Sequence, residues 1–429
     1  MLIEFSVTNF RSIKNEQVLS LLPSGRVRKI SKDNRLLTHS NYPQTETLAS
    51  AVVFGANASG KSNLLRALEA LSVMVQEGHD SVLGEGAKAY VPFRLDRMSR
   101  ELPTNFYIRF IASDGVQYEY ELSRDAESVT HEALYSYPKN RRVKLFERSE
   151  NLPVVFGKKL KGDKQSIARH VLPHQLMLAK GAQLGLGQLM APWRFFKSHL
   201  RAYILYRSVY DDALLQGIAK HIVNDESGRF LKNLSQLVYN ADTGIKGIDV
   251  VQEDSELMGL FEGRRRFQIK TLHHSEDTEK PVLFELKEES IGTRKLVALG
   301  GLILRVLEAG DTLAIDELDQ SMHPHLTRAL IKLFHNPNTN PKRAQLIFST
   351  HDASLLNDDL FRFDQVFLSE RSEDGETEVS SVSDIPNLKK EVPLEEWYLT
   401  GKFGGTPAIN QLGLEFDFNI QGDEEQKER

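Results

Sequence analysis

One segment, Gly55-Ala56-Asn57-Ala58-Ser59-Gly60-Lys61-Ser62, leaves this chain little choice of fold. An apolar run, Leu48 to Phe54, precedes it and reads as a buried strand, and Asn63 to Met74 follows with leucines and alanines at helical spacing. The pattern is G-x-x-x-x-G-K-[ST], a phosphate-binding loop, in the strand–loop–helix setting that such a loop requires. Its glycines let the backbone curl so that successive N–H groups face phosphate oxygens, and the helix that begins there adds the positive end of its dipole. Lys61 is spaced to reach the β/γ-phosphates, and the Ser62 hydroxyl to ligate Mg²⁺. The expected nucleotide-binding residues are Gly55, Asn57, Ala58, Ser59, Gly60, Lys61, Ser62 and Asn63.

The complementary half of such a site comes late in the chain. Asp311-Thr312-Leu313-Ala314-Ile315-Asp316-Glu317 is an apolar strand that ends in two adjacent carboxylates. Asp316 is expected in the Mg²⁺ shell and Glu317 as the general base that polarises the attacking water. Gln345-Leu346-Ile347-Phe348-Ser349-Thr350-His351-Asp352 is a second apolar strand, and placed beside the first it brings His351 to the γ-phosphate. More than half of the chain separates Lys61 from Asp316, so the nucleotide-binding core is split by the material between them.

Weaker signals accompany these. Glu289-Ser290-Ile291-Gly292 precedes an apolar helix, Leu296 to Leu307, and a serine and glycine at a helix N-terminus donate to anions. This subunit already has a phosphate loop, so the anion expected at Ser290 and Gly292 is a second subunit's γ-phosphate, with Asp319 at the same junction. The corner Asn9-Phe10-Arg11-Ser12 lies between strand-like runs and puts Arg11 either near the nucleotide or in an ordinary surface turn.

The rest of the chain is organised around these motifs. Residues 1–150 read as a β-rich lobe with one prominent helix; hairpins are expected over residues 2–21 and 106–122, and a loop over 24–47. Residues 151–280 read as a helical insertion, with helices over 192–206, 210–223 and 227–239, and with basic clusters at Lys158–Lys164 and Arg264–Arg266. Residues 281–415 form the second lobe, and 416–429 a charged tail; the aromatic, Gly-rich segment 397–407 is expected to fold back over the head. Asp352, Asp358, Asp359 and Asp364 read as loop and cap carboxylates.

With no cysteine, the chain has no disulfide, thiolate metal site or cysteine nucleophile. A net charge of −5 leans against a basic nucleic-acid coat. No apolar run is long enough to span a bilayer, and the N-terminus lacks the pattern of a signal peptide, so no membrane partner and a cytoplasmic location are expected.

The order of these motifs resembles the ATP-binding-cassette ATPases of the SMC and RecF type. The expected fold is therefore an α/β P-loop NTPase head with a β-rich N-terminal lobe and a helical insertion. The resemblance makes Gly55–Ser62 the Walker A loop, Asp316 and Glu317 the Walker B pair, and Ser290 and Gly292 the signature. It places Asp319 in the D-loop, makes His351 the switch histidine and Arg11 a nucleotide contact. The signature departs from Leu-Ser-Gly-Gly, and the glutamine loop has no clear match beyond Gln117. The wording Ile315-Asp316-Glu317-Leu318-Asp319, His323-Pro324 and Thr350-His351-Asp352 is similar, more narrowly, to the AAA-type ATPases of bacterial phage-defence operons (RloA, AbiLii and the AriA subunit of PARIS).

That resemblance implies ATP and Mg²⁺ as cofactors and a homo-oligomer of at least two heads. It also implies a role as a sensor or scaffold in anti-phage defence that controls a separately encoded effector, often a nuclease. A DNA-repair or DNA-clamping ATPase of the RecF kind is the alternative, and a non-hydrolysing binding module a third reading.

Overall fold

The computed structural model describes residues 1–27, 33–39, 41–78, 90–150, 152–203, 212–241, 243–252, 266–276, 280–386, 388 and 392–403. The chain opens with β1 (Leu2–Thr8), β2 (Gln17–Ser20), β3 (Leu36–His39), β4 (Tyr42–Leu48), β5 (Ser50–Gly55) and α1 (Lys61–Glu77), then β6 (Thr104–Ile111), β7 (Gln117–Arg124), β8 (Val129–Ser136) and β9 (Val143–Ser149). The middle holds β10 (Val155–Phe156), α2 (Lys164–Arg169), α3 (Met177–Gln183), α4 (Gly187–Arg194), β11 (Leu200–Tyr203), α5 (Asp212–Asn224), α6 (Arg229–Asn240), β12 (Gly247–Gln252), β13 (Phe267–His273) and β14 (Val282–Glu285). The last part comprises α7 (Ile291–Ala309), β15 (Thr312–Ile315), α8 (Pro324–His335), β16 (Gln345–Ser349), β17 (Val366–Arg371), β18 (Thr377–Ser381) and α9 (Leu394–Leu399).

The sheet that positions the site runs β11-β15-β16-β5-β17-β18 among the described residues. The first five strands are parallel, and β18 pairs antiparallel with β17. Its central strands β15, β16 and β5 are buried on both faces, as a doubly covered parallel sheet requires. On β5, Ala51 and Val53 face one core with Ile347 and the α1 leucines 64, 65, 68 and 71. Val52 and Phe54 face the other, with Leu313, Ile315, Phe348 and the helices α7 and α8. The first core continues into a second, antiparallel sheet of order β10-β9-β8-β7-β6-β1-β2, through Phe5, Val7, Ile108 and Phe110. This is the α/β P-loop head with a β-rich N-terminal lobe.

A buried glutamine fastens the two sheets. Gln345, at the start of β16, donates from Nε2 to the carbonyls of Leu2 (3.0 Å) and Leu48 (3.2 Å), and its Oε1 accepts from Leu2 N at 2.6 Å. Burying an amide is unfavourable unless its donors and acceptors are met, and here they are met by the backbone of the N-terminal lobe and by Thr312 Oγ1, which donates to Oε1 at 3.1 Å.

Helix limits follow local chemistry. Gly60, at φ 105°, turns the chain into α1, and Gly310, at φ 77°, ends α7. The Ser290 side chain caps α7, accepting from Thr293 N at 3.1 Å.

Three sequence expectations need correction or refinement. The stretch 24–47, expected as a loop, contains the β3–β4 hairpin; strands of four and seven residues in a polar setting leave little periodicity to detect. The helix expected over 192–206 stops at Arg194, runs through a π-helical turn at Phe195–His199 and becomes β11, which joins the parallel sheet. Asp311 pins that junction, accepting from Arg201 Nε at 2.7 Å and lying 2.8 Å from His199 Nδ1. The middle of the chain is also not helical throughout, because β12, β13 and β14 form a three-stranded antiparallel sheet.

The hairpins at 2–21 and 106–122 are present as β1–β2 and β6–β7. Asp352 acts as expected, capping Ser354 N (3.0 Å), whereas Asp364 is buried and paired with Arg362 (2.8 Å). Arg264 and Arg265, residues 404–407 of the aromatic, Gly-rich segment and the charged tail lie outside the described residues. No helix among the described residues is long and apolar enough to cross a membrane.

Candidate functional site

β5 delivers the chain to Gly55 in the middle of the sheet, and the loop crosses Ala56–Gly60 before α1 begins. The loop is too tight for side chains at its two glycines. A Cβ on Gly55 would lie 2.3 Å from Ser369 O, and one on Gly60 would lie 1.9 Å from Thr377 Oγ1. Ala58 also takes a positive φ of 62°, a conformation that disfavours a Cβ.

A chain of side-chain hydrogen bonds braces the loop. Asn63 Nδ2 donates to Ser12 Oγ (2.7 Å), Ser12 Oγ lies 2.7 Å from Thr377 Oγ1, and Thr377 Oγ1 donates to Ser59 O (2.9 Å). Since Thr377 has one proton and gives it to Ser59, Ser12 is the donor between the two hydroxyls. Ser369 Oγ adds a second bond to Ser59 O at 3.1 Å. Ser59 Oγ itself is buried with no partner among the described residues.

Lys61 is almost fully buried, at 4% exposure, and folds back so that Nζ donates to Gly55 O (2.8 Å) and Ala56 O (2.7 Å). Burial draws its ammonium down to about 8, while the nearby carboxylates of Asp316, Glu317 and Asp319 pull it back up. The acidic strand end and the phosphate loop therefore share one electrostatic neighbourhood.

Ser349, at the end of β16, orders that strand end. Its Oγ donates to Asp316 Oδ1 at 2.5 Å and accepts from Glu317 N at 2.8 Å. Ser349 O takes Leu318 N at 3.2 Å. These bonds hold Glu317 at φ 50°, a left-handed conformation that costs a non-glycine residue about 1–2 kcal/mol. The resulting bend carries the Glu317 carboxylate to His351, whose Nε2 is 3.5 Å from Glu317 Oε1.

Ser290 and Ile291 are exposed at the start of α7, and the Gly292 backbone packs against Ser321, where a Cβ would lie 3.1 Å from Ser321 O. One helical turn on, Lys295 is buried and donates from Nζ to Gln320 O. Burial lowers its ammonium to about 8, against the opposing pull of Asp319 and Glu317. Asp319 Oδ1 is buried without a partner among the described residues. The two segments expected to face a second subunit, around Ser290 and around Asp319, thus lie against each other.

Arg11 is exposed at the corner and takes φ 54°; its N–H donates to Val91 O at 2.6 Å, and its guanidinium lies 5.7 Å from the Phe10 ring centroid. The residue of that corner that touches the loop is Ser12. Gln117 is not at the site: its backbone N–H donates to the Tyr42 hydroxyl at 3.1 Å and its carbonyl accepts from Tyr137 N at 2.8 Å, within the antiparallel sheet.

Sequence reasoning missed Ser12, Ser349, Thr377 and Lys295. Ser349 alone had a usable signal, as a hydroxyl at the strand end two residues before His351. The oxygen donors Ser62 and Asp316 suit Mg²⁺, which prefers hydroxyl, carboxylate and phosphate oxygens. The unpartnered Ser59 hydroxyl and the returned Lys61 ammonium fit an anionic ligand in the loop.

Comparison with known proteins adds the following. No curated protein matches the chain. Solved structures with similar backbones include an SMC head bound to the C-terminal winged-helix domain of ScpA (13% identity, TM-score 0.44, covering 89% of this chain and 97% of that one). An SMC head from Thermotoga maritima has 13% identity and a TM-score of 0.39, over 89% of this chain and 98% of that one. The recombination mediator RecF with ATP has 14% identity and a TM-score of 0.39, over 89% and 97%. A family model described as "AAA domain, putative AbiEii toxin, Type IV TA system" matches residues 50–357, which hold the phosphate loop, the acidic strand and His351. That span is well over half of the chain, and the chain belongs to this AAA-domain family.

Proposed function

We propose that this AAA-domain chain hydrolyses ATP with Mg²⁺ at a site completed by a second copy, and that the cycle switches a separately encoded effector. The observation that carries the reading is the convergence of Lys61, Asp316, Glu317 and His351 at the ends of three adjacent parallel strands, where a P-loop sheet binds its ligand.

In this reading the phosphates take the loop N–H groups and the Lys61 ammonium, which leaves the carbonyls of Gly55 and Ala56. Ser62 and Asp316 hold Mg²⁺, which neutralises charge that develops on the phosphates. Glu317, oriented through Ser349, takes the proton of the attacking water, and His351 beside it contacts the γ-phosphate. Ser290 and Gly292 of a second copy close over that phosphate, with Asp319 at the junction. The γ-phosphate favours the closed pair because it adds contacts that the open form lacks, and hydrolysis removes them.

The family's description as a toxin of a toxin–antitoxin system supports a role in which a second protein restrains or receives the output. Anti-phage defence with a nuclease as effector is the specific form we propose.

The test is the solution mass of wild type and Glu317→Gln, each with and without ATP and Mg²⁺, alongside phosphate release. Loss of hydrolysis with accumulation of a larger ATP-dependent species is expected in the variant. An assembly size that ignores ATP in both proteins would overturn the composite site.

A further inference from the structure

The residue before Ser290 is anchored on an element outside the phosphate-loop sheet. Glu289 follows the short helical turn Leu286–Glu288 that leaves β14, and its side chain turns back onto β13. Its Oε1 accepts from Thr271 Oγ1 at 2.5 Å and lies 2.7 Å from His273 Nε2. The carboxylate is 10% exposed, Thr271 is fully buried, and the His273 ring centroid is 4.5 Å from that of Phe284 on β14. β13 is paired on both sides, with β12 and β14, so both contacts come from the central strand of the three-stranded sheet.

Glu289 and Ser290 are both extended, at φ −78° and ψ 160° and at φ −59° and ψ 155°. Consecutive side chains of an extended segment point to opposite sides. Glu289 points inward, and Ser290 is exposed. Ser290 caps its own helix through Thr293 N, which fixes the local turn without fixing where the start of α7 faces. Where the Leu-Ser-Gly-Gly signature has leucine, this chain has a carboxylate, whose burial is unfavourable unless donors meet it. A leucine would fill the same space with no directed bond; two partners on a strand paired along both edges give the segment one orientation.

We infer that Glu289 is a positioning residue, which holds Ser290 and Gly292 toward the γ-phosphate of a second copy by way of Thr271 and His273. This rests on the composite-site reading above. The three-stranded sheet is then the platform that aims one copy's donors at the other copy's nucleotide. Loss of that aim acts on closure of the pair and on the chemical step, and leaves the phosphate loop of the same chain untouched.

The experiment uses the full chain. Glu289→Leu is expected to lower phosphate release about tenfold or more and to weaken the ATP-dependent assembly. Its affinity for a fluorescent ATP analogue, read on the single head, should stay within about twofold of wild type. Glu289→Gln keeps the accepting oxygen and should hold phosphate release within about threefold of wild type. Thr271→Val with His273→Phe, which keeps an aromatic ring beside Phe284, removes both partners and should reproduce the loss seen in Glu289→Leu.

Mixed heads supply the readout that a purely structural role would not move. Glu289→Leu has an intact phosphate loop and Lys61→Ala an intact signature, so their mixture should release phosphate faster than the two measured apart. Wild-type turnover in Glu289→Leu, an equal loss in Glu289→Gln, or a mixture no faster than its parts overturns the inference. Ser290→Ala separates the two levels. If it assembles and turns over as wild type, the composite-site reading itself has failed; if it loses both while Glu289→Leu loses neither, the inference alone has failed.

Discussion

The hydroxyls of Ser12 and Thr377 stand 2.7 Å apart although 365 positions separate them in the chain. Between Asn63 on one side and the Ser59 carbonyl on the other, they carry a one-directional line of hydrogen bonds around the phosphate loop. Aligned bonds of this kind polarise one another, so breaking one weakens the rest.

Thr377→Val keeps the branched shape and removes the hydroxyl, leaving Ser12 without its acceptor and Ser59 O with Ser369 alone. A loss of about 1–2 kcal/mol in stability is expected, and Ser12→Ala should lose a similar amount. Denaturant unfolding of the double variant gives the decisive number, because residues in one network do not add. The pair should lose clearly less than the sum of the singles; strict additivity would mean that the line is not a unit.

Lys295 offers a case where stability and activity should part. A lysine buried at 2% exposure is held there by Gln320 O and the field of Asp319 and Glu317. Lys295→Met conserves length and volume and removes a charge whose burial is unfavourable, so the fold should be as stable as wild type or more so. The tie between α7 and the turn after Glu317 is lost, and ATP turnover should fall about tenfold or more while ATP binding persists. Thermal unfolding, nucleotide binding and phosphate release on the same preparation check all three.

His335 makes stability depend on pH. Its Nε2 lies 2.8 Å from Ser50 Oγ, which also accepts from Gln365 Nε2 at 2.9 Å. Burial brings this histidine from 6.5 down to about 4; Arg35 and Lys332 push the same way and Asp33 opposes. The unfolded chain thus takes up a proton near pH 6.5 that the native protein refuses until about pH 4. The contribution is complete above about pH 7 and is lost as pH falls from 6.5 toward 4. Between pH 7 and 5, wild type should lose about 1–2 kcal/mol more than His335→Gln, read from urea midpoints.

What the sequence made legible was what has local periodicity or fixed spacing. The phosphate loop sits between β5 and α1, where the glycine spacing and the leucines of α1 put it, and Asp316, Glu317 and His351 end adjacent strands. What stayed hidden was made by long-range pairing. Strand β11 is four residues long and has a face only because β15 lies beside it. Ser12 and Thr377 are ordinary polar residues until the fold sets them against the loop. Lys295 reads as one more charge at a helix start and becomes buried because the turn after Glu317 packs over α7. Gln117 shows the opposite failure, since a residue type carried over from a motif was taken up by the antiparallel sheet instead.

The placement of β5 has a consequence for how the protein is made. Its neighbours on both sides, Phe348 and Val366 against Val52, belong to the last part of the chain. A ribosome that adds about 5–20 residues each second needs roughly 15–60 s to cover the roughly 300 residues between them. Throughout that interval the nascent chain holds an apolar strand with neither edge paired, the kind of segment that chaperones protect and that aggregates when they do not. The nucleotide pocket is therefore assembled only after β16 and β17 have been made, and a polypeptide interrupted before β17 has the loop sequence without the sheet that shapes it.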